Sequence, residues 1–326
     1  MLTPTRILVI RLSSLGDVLL TTPVIRALRK KYPAAEIDFI VKEEYLAVIQ
    51  GNPHINLVFP YKKNKDSIKL LKQVISDKKY SLIVDLQNNL RTLSLTFGLG
   101  TTVVRFKKNG LKKLLLVHFK INLLRDAKQI PLRYADCLQG ITLDGEGLEF
   151  SLGNNSPVRN TNCIGVAPGS KHFTKRYPVD RLAEIAKLLL LKGYEIHLIG
   201  AADDREYCET LAQLAPGTIN RCKGNDTKQI AKEIAECSLL LCNDSGLMHL
   251  ASAVKTPVAV VFGSTVEEFG FTPYNNKHII IQENSLSCRP CSHTGRADCP
   301  KKHFKCMLNL SAEMVFNRVI AFKETL

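Results

Sequence analysis

The stretch Leu239-Leu-Leu-Cys-Asn-Asp-Ser-Gly-Leu-Met-His-Leu250 sets the reading of the whole chain. Its apolar run, Ser238 to Cys242, reads as a buried strand. Asn243-Asp244-Ser245-Gly246 reads as a tight polar turn, and Leu247 to Val254 as a helix stopped by Lys255-Thr256-Pro257. A second apolar run, Val258 to Phe262, follows at once. The pattern is a β-α-β unit with both strands buried in a parallel sheet. The turn then lies at the carboxyl edge of the sheet, where the first helical N–H groups lack partners and the helix dipole is positive. Such a place suits a phosphate. Asp244 or Ser245 can cap the helix, and Gly246 lets a ligand approach the backbone. The plainer reading of Asp244, a helix cap and nothing more, stands beside this one.

The same alternation fills the rest of the chain. Ile7–Ile10 is a short strand, and the loop Arg11-Leu-Ser-Ser-Leu-Gly-Asp17 leads into a helix expected from Val18 to about Tyr32. Strands follow at Glu36–Val41, weakly at Val58–Phe59, and at Tyr80–Asp85, with helices near Glu43–Gln50 and Ser67–Ser76. Residues 145–162, rich in Gly, Asn, Ser and Pro, read as a linker. A second series then opens with Cys163–Ala167, the polar loop Pro168–Pro178, a helix over Val179–Lys192, a strand at Glu195–Ile199 and a helix at Asp226–Glu236. The expected fold class is α/β, with two Rossmann-like β/α/β domains, 1–157 and 158–326, facing a central cleft. A terminal helix is expected near Ala312–Lys323.

Length and composition agree. The 326 residues are comfortable for two domains, and 45% apolar with 23% charged residues describe a soluble globular protein. The N-terminal apolar stretch is too short for a signal peptide and is broken by Arg11. No run approaches a membrane span. A cytoplasmic location is expected, with the ten cysteines as thiols or metal ligands rather than disulfides. The net charge of +15 is uneven: residues 1–157 carry 24 Lys+Arg against 13 Asp+Glu, and residues 158–326 carry 21 against 17. A basic first half implies an anionic partner, either nucleic acid, a membrane surface or a phosphorylated substrate, unless its lysines merely solubilise.

Three further places carry chemistry. Asp17, just past a strand end at the head of a helix, is a cap or a general base. The 168–178 loop brings Ser170, Lys171, Lys175 and Arg176 to the sheet edge that holds Asp244-Ser245-Gly246, a set suited to a diphosphate. Residues 105–128 include a basic amphipathic helix, with Leu111, Leu114, Leu115, Phe119 and Leu123 on one side. That side packs on its own domain or rests on an anionic membrane. No Walker motif, GxGxxG or HExxH is present, against a P-loop NTPase, a nicotinamide dehydrogenase or a zinc protease.

Taken together, Ile7–Val18, Pro168-Gly-Ser170 with Lys175-Arg-Tyr-Pro178, Asn243–His249 and Pro257–Thr265 resemble the motifs of glycosyltransferase family 9, the ADP-heptose:lipopolysaccharide heptosyltransferases, over nearly the whole length. The resemblance implies a GT-B fold, with acceptor bound mainly by the first domain and donor by the second. It implies Asp17 as the catalytic base and substrate-binding positions at Ser14 and Gly16. It puts Lys175 at the donor phosphates, and Ser170, Asp244, Ser245 and Gly246 around the diphosphate and sugar. His249 is the motif histidine one turn on, and Asp204 lies where the family often has Glu near the nucleoside. Tyr177 departs from a usual Trp.

The reaction so implied is an inverting, metal-independent transfer of heptose from ADP-heptose to the lipopolysaccharide inner core, Kdo-lipid A or a heptosyl acceptor, with no cofactor. It places the protein at the cytoplasmic face of the inner membrane. Another nucleotide sugar is the alternative donor. A catalytically silent nucleotide-sugar or nucleic-acid binder is the alternative class, although no helix-turn-helix, RNP or zinc-finger pattern supports nucleic acid. Separately, Cys288, Cys291, Cys299 and Cys306, in a Cys-rich segment 288–306, have the spacing of a structural zinc site, with His293 and His303 as spare ligands. Free thiols in a tail loop are the other reading.

Overall fold

In the computed structural model, residues 3–153, 157–224 and 226–326 are described. The chain divides into two compact units, Met1–Lys108 with Lys128–Gly153, and Asn109–Ala127 with Asn154–Leu326. The glycine-rich stretch expected as a linker yields its last residues to a strand that starts at Asn160, and its residues 154–156 lie outside the described ones.

The first unit runs β1 (Arg6–Ile10), α1 (Leu15–Leu19), α2 (Thr22–Lys31), β2 (Glu36–Lys42), α3 (Leu46–Ile49), β3 (Leu57–Tyr61), α4 (Lys65–Lys78), β4 (Leu82–Asp85), α5 (Leu90–Thr96) and β5 (Thr102–Arg105). After α6 (Gly110–Phe119), which groups with the second unit, α7 (Ile130–Ala135) returns to the first. Among the described residues its strands form one parallel sheet in the order β3-β2-β1-β4-β5. Central β1, RILVI, is buried on both faces beyond Arg6, as a covered parallel strand must be. The single helix expected over Val18–Tyr32 is two helices. Pro23 sits in the first turn of α2, where its missing N–H costs nothing, and it could not continue α1.

The second unit runs β6 (Asn160–Ala167), α8 (Val179–Leu191), β7 (Glu195–Leu198), α9 (Arg205–Leu214), β8 (Ile219–Asn220), α10 (Thr227–Glu236), β9 (Cys237–Asn243), α11 (Gly246–Ala253), β10 (Val258–Phe262), β11 (His278–Gln282), α12 (Lys305–Leu308) and α13 (Ala312–Lys323). Its sheet is also parallel, in the order β11-β10-β9-β6-β7-β8. All seven residues of β9 are buried. The core beneath α8, α9 and α13 is built from Ile164, Ile185, Leu189, Leu211, Val315 and Val319, with Tyr177 among them. Tyr177 donates its hydroxyl to Leu310 O at 2.7 Å, so a phenol fills this packing position and also finds a polar partner.

The amphipathic helix α6 is present, but its Leu111, Leu114 and Phe119 side does not pack on its unit: they are 72%, 49% and 65% exposed. Leu116, with Leu124 just beyond the helix, instead packs on Phe269 from a neighbouring side. Periodicity shows which residues share a side, and of the two readings left open for this side, packing on its own unit is the one the exposed Leu111, Leu114 and Phe119 do not support. No helix among the described residues is long and apolar enough to cross a membrane.

Candidate active site

Each unit brings its predicted residues to the carboxyl edge of its own sheet. In the first, β1 ends at Arg11 and the chain turns through Ser13-Ser14 into α1. Asp17 is the third residue of that helix and reaches back to its cap, accepting the Ser14 N–H at 3.1 Å and the Ser14 hydroxyl at 2.9 Å on Oδ2. Oδ1 pairs with Arg11 Nη2 at 2.6 Å. Arg11 is itself fixed by Leu86 O at 2.6 Å and Ser13 O at 2.9 Å. Asp17 therefore does cap the helix. It is also a carboxylate of fixed orientation whose side chain keeps 20% of its surface open, enough for a hydroxyl to reach it. Gly16 is buried in the same turn.

In the second unit the decisive residue is one that reads in sequence as turn filler. Asn243, the last residue of β9 and buried, donates from Nδ2 to Pro168 O at 2.8 Å and accepts the Tyr177 N–H at 3.0 Å. It closes the 168–177 loop at both ends. That closure delivers Lys175 Nζ to Asp244 Oδ2 at 2.7 Å. Thr265, in the loop after β10, donates to the same Oδ2 at 2.6 Å. Three loops from three strands so converge on one carboxylate. Asp244 is spent on these partners and does not cap α11; the cap position falls to Ser245, whose side chain makes no capping bond. Ser245 Oγ is buried without a hydrogen-bond partner among the described residues. Gly246 opens α11, and His249 lies buried one turn on, edge-on to Phe271 at 6.5 Å between ring centres.

Asp204 ends the short turn Ala202–Asp204 after β7, just before α9, and accepts the Ala201 N–H at 3.0 Å. Its carboxyl lies over two glycines: a Cβ on Gly169 would fall 1.8 Å from Asp204 Oδ1, and one on Gly200 2.7 Å from Asp204 Cβ. Burial pushes its carboxyl above the ordinary range. Ser170 is buried, and its carbonyl accepts Arg176 Nε at 2.5 Å while the Arg176 guanidinium stacks on Tyr207 at 4.6 Å. Lys171 is exposed.

The Cys-rich segment contributes differently from its spacing. Cys288 Sγ lies 3.9 Å from His303 Nε2, and Cys299 Sγ accepts the Phe304 N–H at 3.4 Å. Among the described residues, the metal-ligating groups brought within 4.8 Å of one another as a set of three are Cys163, His197 and Cys237, and not Cys288, Cys291, Cys299 and Cys306. What the segment does is brace the site. Arg289 donates to Gly263 O at 2.6 Å and Thr265 O at 2.8 Å, and the Arg296 N–H donates to Thr174 Oγ1 at 2.8 Å. Lys120 Nζ holds the segment from below through Cys288 O at 3.0 Å and Pro290 O at 2.7 Å. An arginine between two cysteines carries no sequence signal for this role.

A lysine held at a helix N-terminus by one carboxylate, with N–H groups to spare, is a donor of the kind a diphosphate takes, while Thr265, whose one proton goes to Asp244, fixes that carboxylate. Comparisons with known proteins point the same way. The family model described as glycosyltransferase family 9 (heptosyltransferase) matches residues 68–302. The chain is 25% identical over 315 residues to lipopolysaccharide heptosyltransferase 2 of Escherichia coli K12, covering 85% of this chain and 88% of that protein. It is 25% identical over 320 residues to lipooligosaccharide heptosyltransferase 2 of Campylobacter jejuni, covering 94% and 95%. The solved structure of the E. coli ADP-heptose lipopolysaccharide heptosyltransferase II superposes with a TM-score of 0.73 at 20% identity, over 98% of this chain and 99% of that one. The two parallel sheets are those of the GT-B fold, and the chain belongs to glycosyltransferase family 9, the heptosyltransferases.

Proposed function

We propose that this glycosyltransferase moves heptose from ADP-heptose to the inner core of lipopolysaccharide, with inversion at the anomeric carbon. The observation that carries the reading is the cluster of Lys175, Asp244 and Thr265 at the head of α11. The names of the relatives, lipopolysaccharide and lipooligosaccharide heptosyltransferases, support the acceptor. The name of the superposed E. coli enzyme, which specifies ADP-heptose, supports the donor.

In this mechanism Asp17 accepts the proton of the acceptor hydroxyl. The oxygen attacks the anomeric carbon, and the bond from that carbon to the diphosphate breaks. Negative charge collects on the departing ADP. The Lys175 ammonium and the first N–H groups of α11 stabilise it, an interaction stronger in the transition state than in the ground state. Ser245 Oγ supplies a further donor, its hydroxyl being unspent within the described protein. Ser14 and Gly16 shape the acceptor side, Ser170 and His249 frame the donor, and Asp204 faces the nucleoside. No step uses a metal or cofactor. The protein works at the cytoplasmic face of the inner membrane, where the basic residues of 1–157 meet lipid A phosphates and Kdo carboxylates, and where the exposed apolar side of α6 rests on anionic lipid.

The test is transfer by the purified protein from ADP-heptose to heptose-less lipopolysaccharide, read by acceptor mass, with UDP- and GDP-sugars as control donors. A heptose-sized gain lost in Asp17→Ala is expected. Transfer retained in the variant removes Asp17 as base. Transfer only from another donor removes heptose, and no transfer from any donor favours a silent binder.

A further inference from the structure

The amino-terminal edge of the second sheet holds a cluster that the transfer reaction does not use. Cys163 in β6 and Cys237 at the start of β9 bring their sulfurs to 3.4 Å across neighbouring strands. A ring nitrogen of His197, in β7 on the other side of β6, lies within 4.8 Å of both. All three side chains are buried, at 0%, 0% and 4% exposure. His197 Nε2 is engaged by the Glu195 carboxylate, which shares its strand, while Nδ1 is buried with no hydrogen-bond partner among the described residues. A carboxylate that fixes one imidazole nitrogen and leaves the other facing inward is the arrangement that orients metal-binding histidines.

Space for the cluster is made by a glycine. Gly165, in register with His197, sits where a Cβ would come 3.1 Å from Cys237 Sγ and 2.9 Å from Leu240 Cδ1. Glycine weakens a strand interior, so its presence in central β6 marks a close approach that a side chain would block. A bland reading treats the cysteines as small core hydrophobes. That reading accounts for the thiols but not for a buried imidazole whose inward nitrogen meets nothing better than the weakly hydrogen-bonding Cys163 sulfur.

We propose that Cys163, Cys237 and His197 form a closed structural site for a thiophilic d10 cation, Zn2+ or Cu+. Thiolate and imidazole are the donors both ions favour. With metal–sulfur bonds near 2.3 Å, two thiolates on one tetrahedral ion stand about 3.8 Å apart, a few tenths of an ångström from the observed separation. The Glu233 carbonyl, 3.2 Å from Cys237 Sγ, is a further oxygen at the site. The ion would tie together β9, β6 and β7, adjacent strands at the middle of the sheet, at the end remote from Lys175 and Asp244. Because the site is closed, loading accompanies folding.

The experiment measures metal per chain by elemental mass spectrometry in the full-length protein, unfolded and refolded under reductant with Zn2+ alone or Cu+ alone. Wild type is compared with Cys163→Ser/Cys237→Ser, with His197→Gln, and with a variant in which Cys288, Cys291, Cys299 and Cys306 are all Ser. The expected result is loss of one ion per chain in Cys163→Ser/Cys237→Ser and in His197→Gln, and retention of that ion in the four-serine variant. Whichever of Zn2+ and Cu+ is retained identifies the ion. His197→Gln keeps both thiols and a polar partner for Glu195, so it serves where the double variant does not fold. In Cd2+-loaded four-serine protein the thiolate charge-transfer absorption should appear, and should vanish when Cys163 and Cys237 are replaced. Metal content unchanged by His197→Gln, or no metal held by the folded four-serine variant with either ion, overturns the proposal. Sugar transfer is not the readout, so failure of the proposed reaction leaves this test intact.

Discussion

Asp244 shows how much one carboxylate can organise. Its Oδ2 is shared by Lys175 and Thr265, so the loops after β6, β9 and β10 hold a common register. Removing either partner separates catalysis from architecture. Lys175→Met deletes the cation that stabilises the leaving diphosphate, and kcat for transfer from ADP-heptose should fall by about 10²–10³. Thr265→Val deletes a neutral donor, and should cost about 1 kcal/mol in denaturant unfolding while leaving kcat within a few-fold. Equal kcat losses in the two variants would assign Lys175 a structural part only. Asp204 admits a sharper test. In Gly169→Ala the new Cβ cannot share space with the Asp204 carboxyl, which must swing out and release the Ala201 N–H. Donor KM should rise and the melting temperature fall. Adding Asp204→Ala should restore the melting temperature but not the KM, the non-additivity expected of touching groups.

Among the elements, α2 is tied to the segment after α7 by an ionic network rather than by apolar packing alone. Arg26, 5% exposed, grips Asp144 through two bonds of 2.6 and 2.7 Å, meets Glu149 at 2.7 Å and donates to Gly147 O at 3.0 Å. The guanidinium holds the Asp144 carboxyl well below the usual carboxylate range, with Lys30 adding to the effect. A carboxyl whose pKa is lowered by folding stabilises the native state fully above its unfolded pKa of about 3.9, and that stability is lost as pH falls below it. Unfolding free energy followed by urea from pH 6 down to pH 3 should drop in wild type and flatten in Asp144→Asn. At pH 7 the variant should be less stable by about 1.5–3 kcal/mol, since Glu149 and Gly147 still hold Arg26. An unchanged acid limb would mean that other carboxylates govern it.

For the molecule as a whole, the excess of 15 positive charges and the outward apolar side of α6 bear on where it works. If α6 seats in anionic lipid, replacing Leu111, Leu114 and Phe119 by Ser should abolish co-sedimentation with phosphatidylglycerol vesicles yet leave the melting temperature nearly unchanged, because exposed side chains contribute little to folding. Raising salt should weaken wild-type binding, and uncharged vesicles should not bind. Binding that survives the triple substitution would move the contact to the basic residues of the first half of the chain.

Three things are legible in the chain before it folds: the alternation of strand and helix, the two series of β-α-β units, and the positions of Asp17, Lys175 and Asp244 at strand ends. Burial on both faces writes a parallel strand as an unbroken apolar run, and strand-to-helix turns must carry small polar residues. The edge strands β5 and β11 and the two-residue β8 are not legible, since their apolar runs are at most three residues long and half-covered, too short to tell a strand from a loop. Other features arise only once the sheets assemble. Asp244 pairs with Lys175 and Thr265 instead of capping its helix, Asn243 closes a loop begun 75 residues earlier, and Cys163 meets Cys237. The apolar side of α6 likewise turns outward. Periodicity encodes which residues share a side of one element; which groups meet across elements follows from strand order and register, and these depend on how the whole sheet packs.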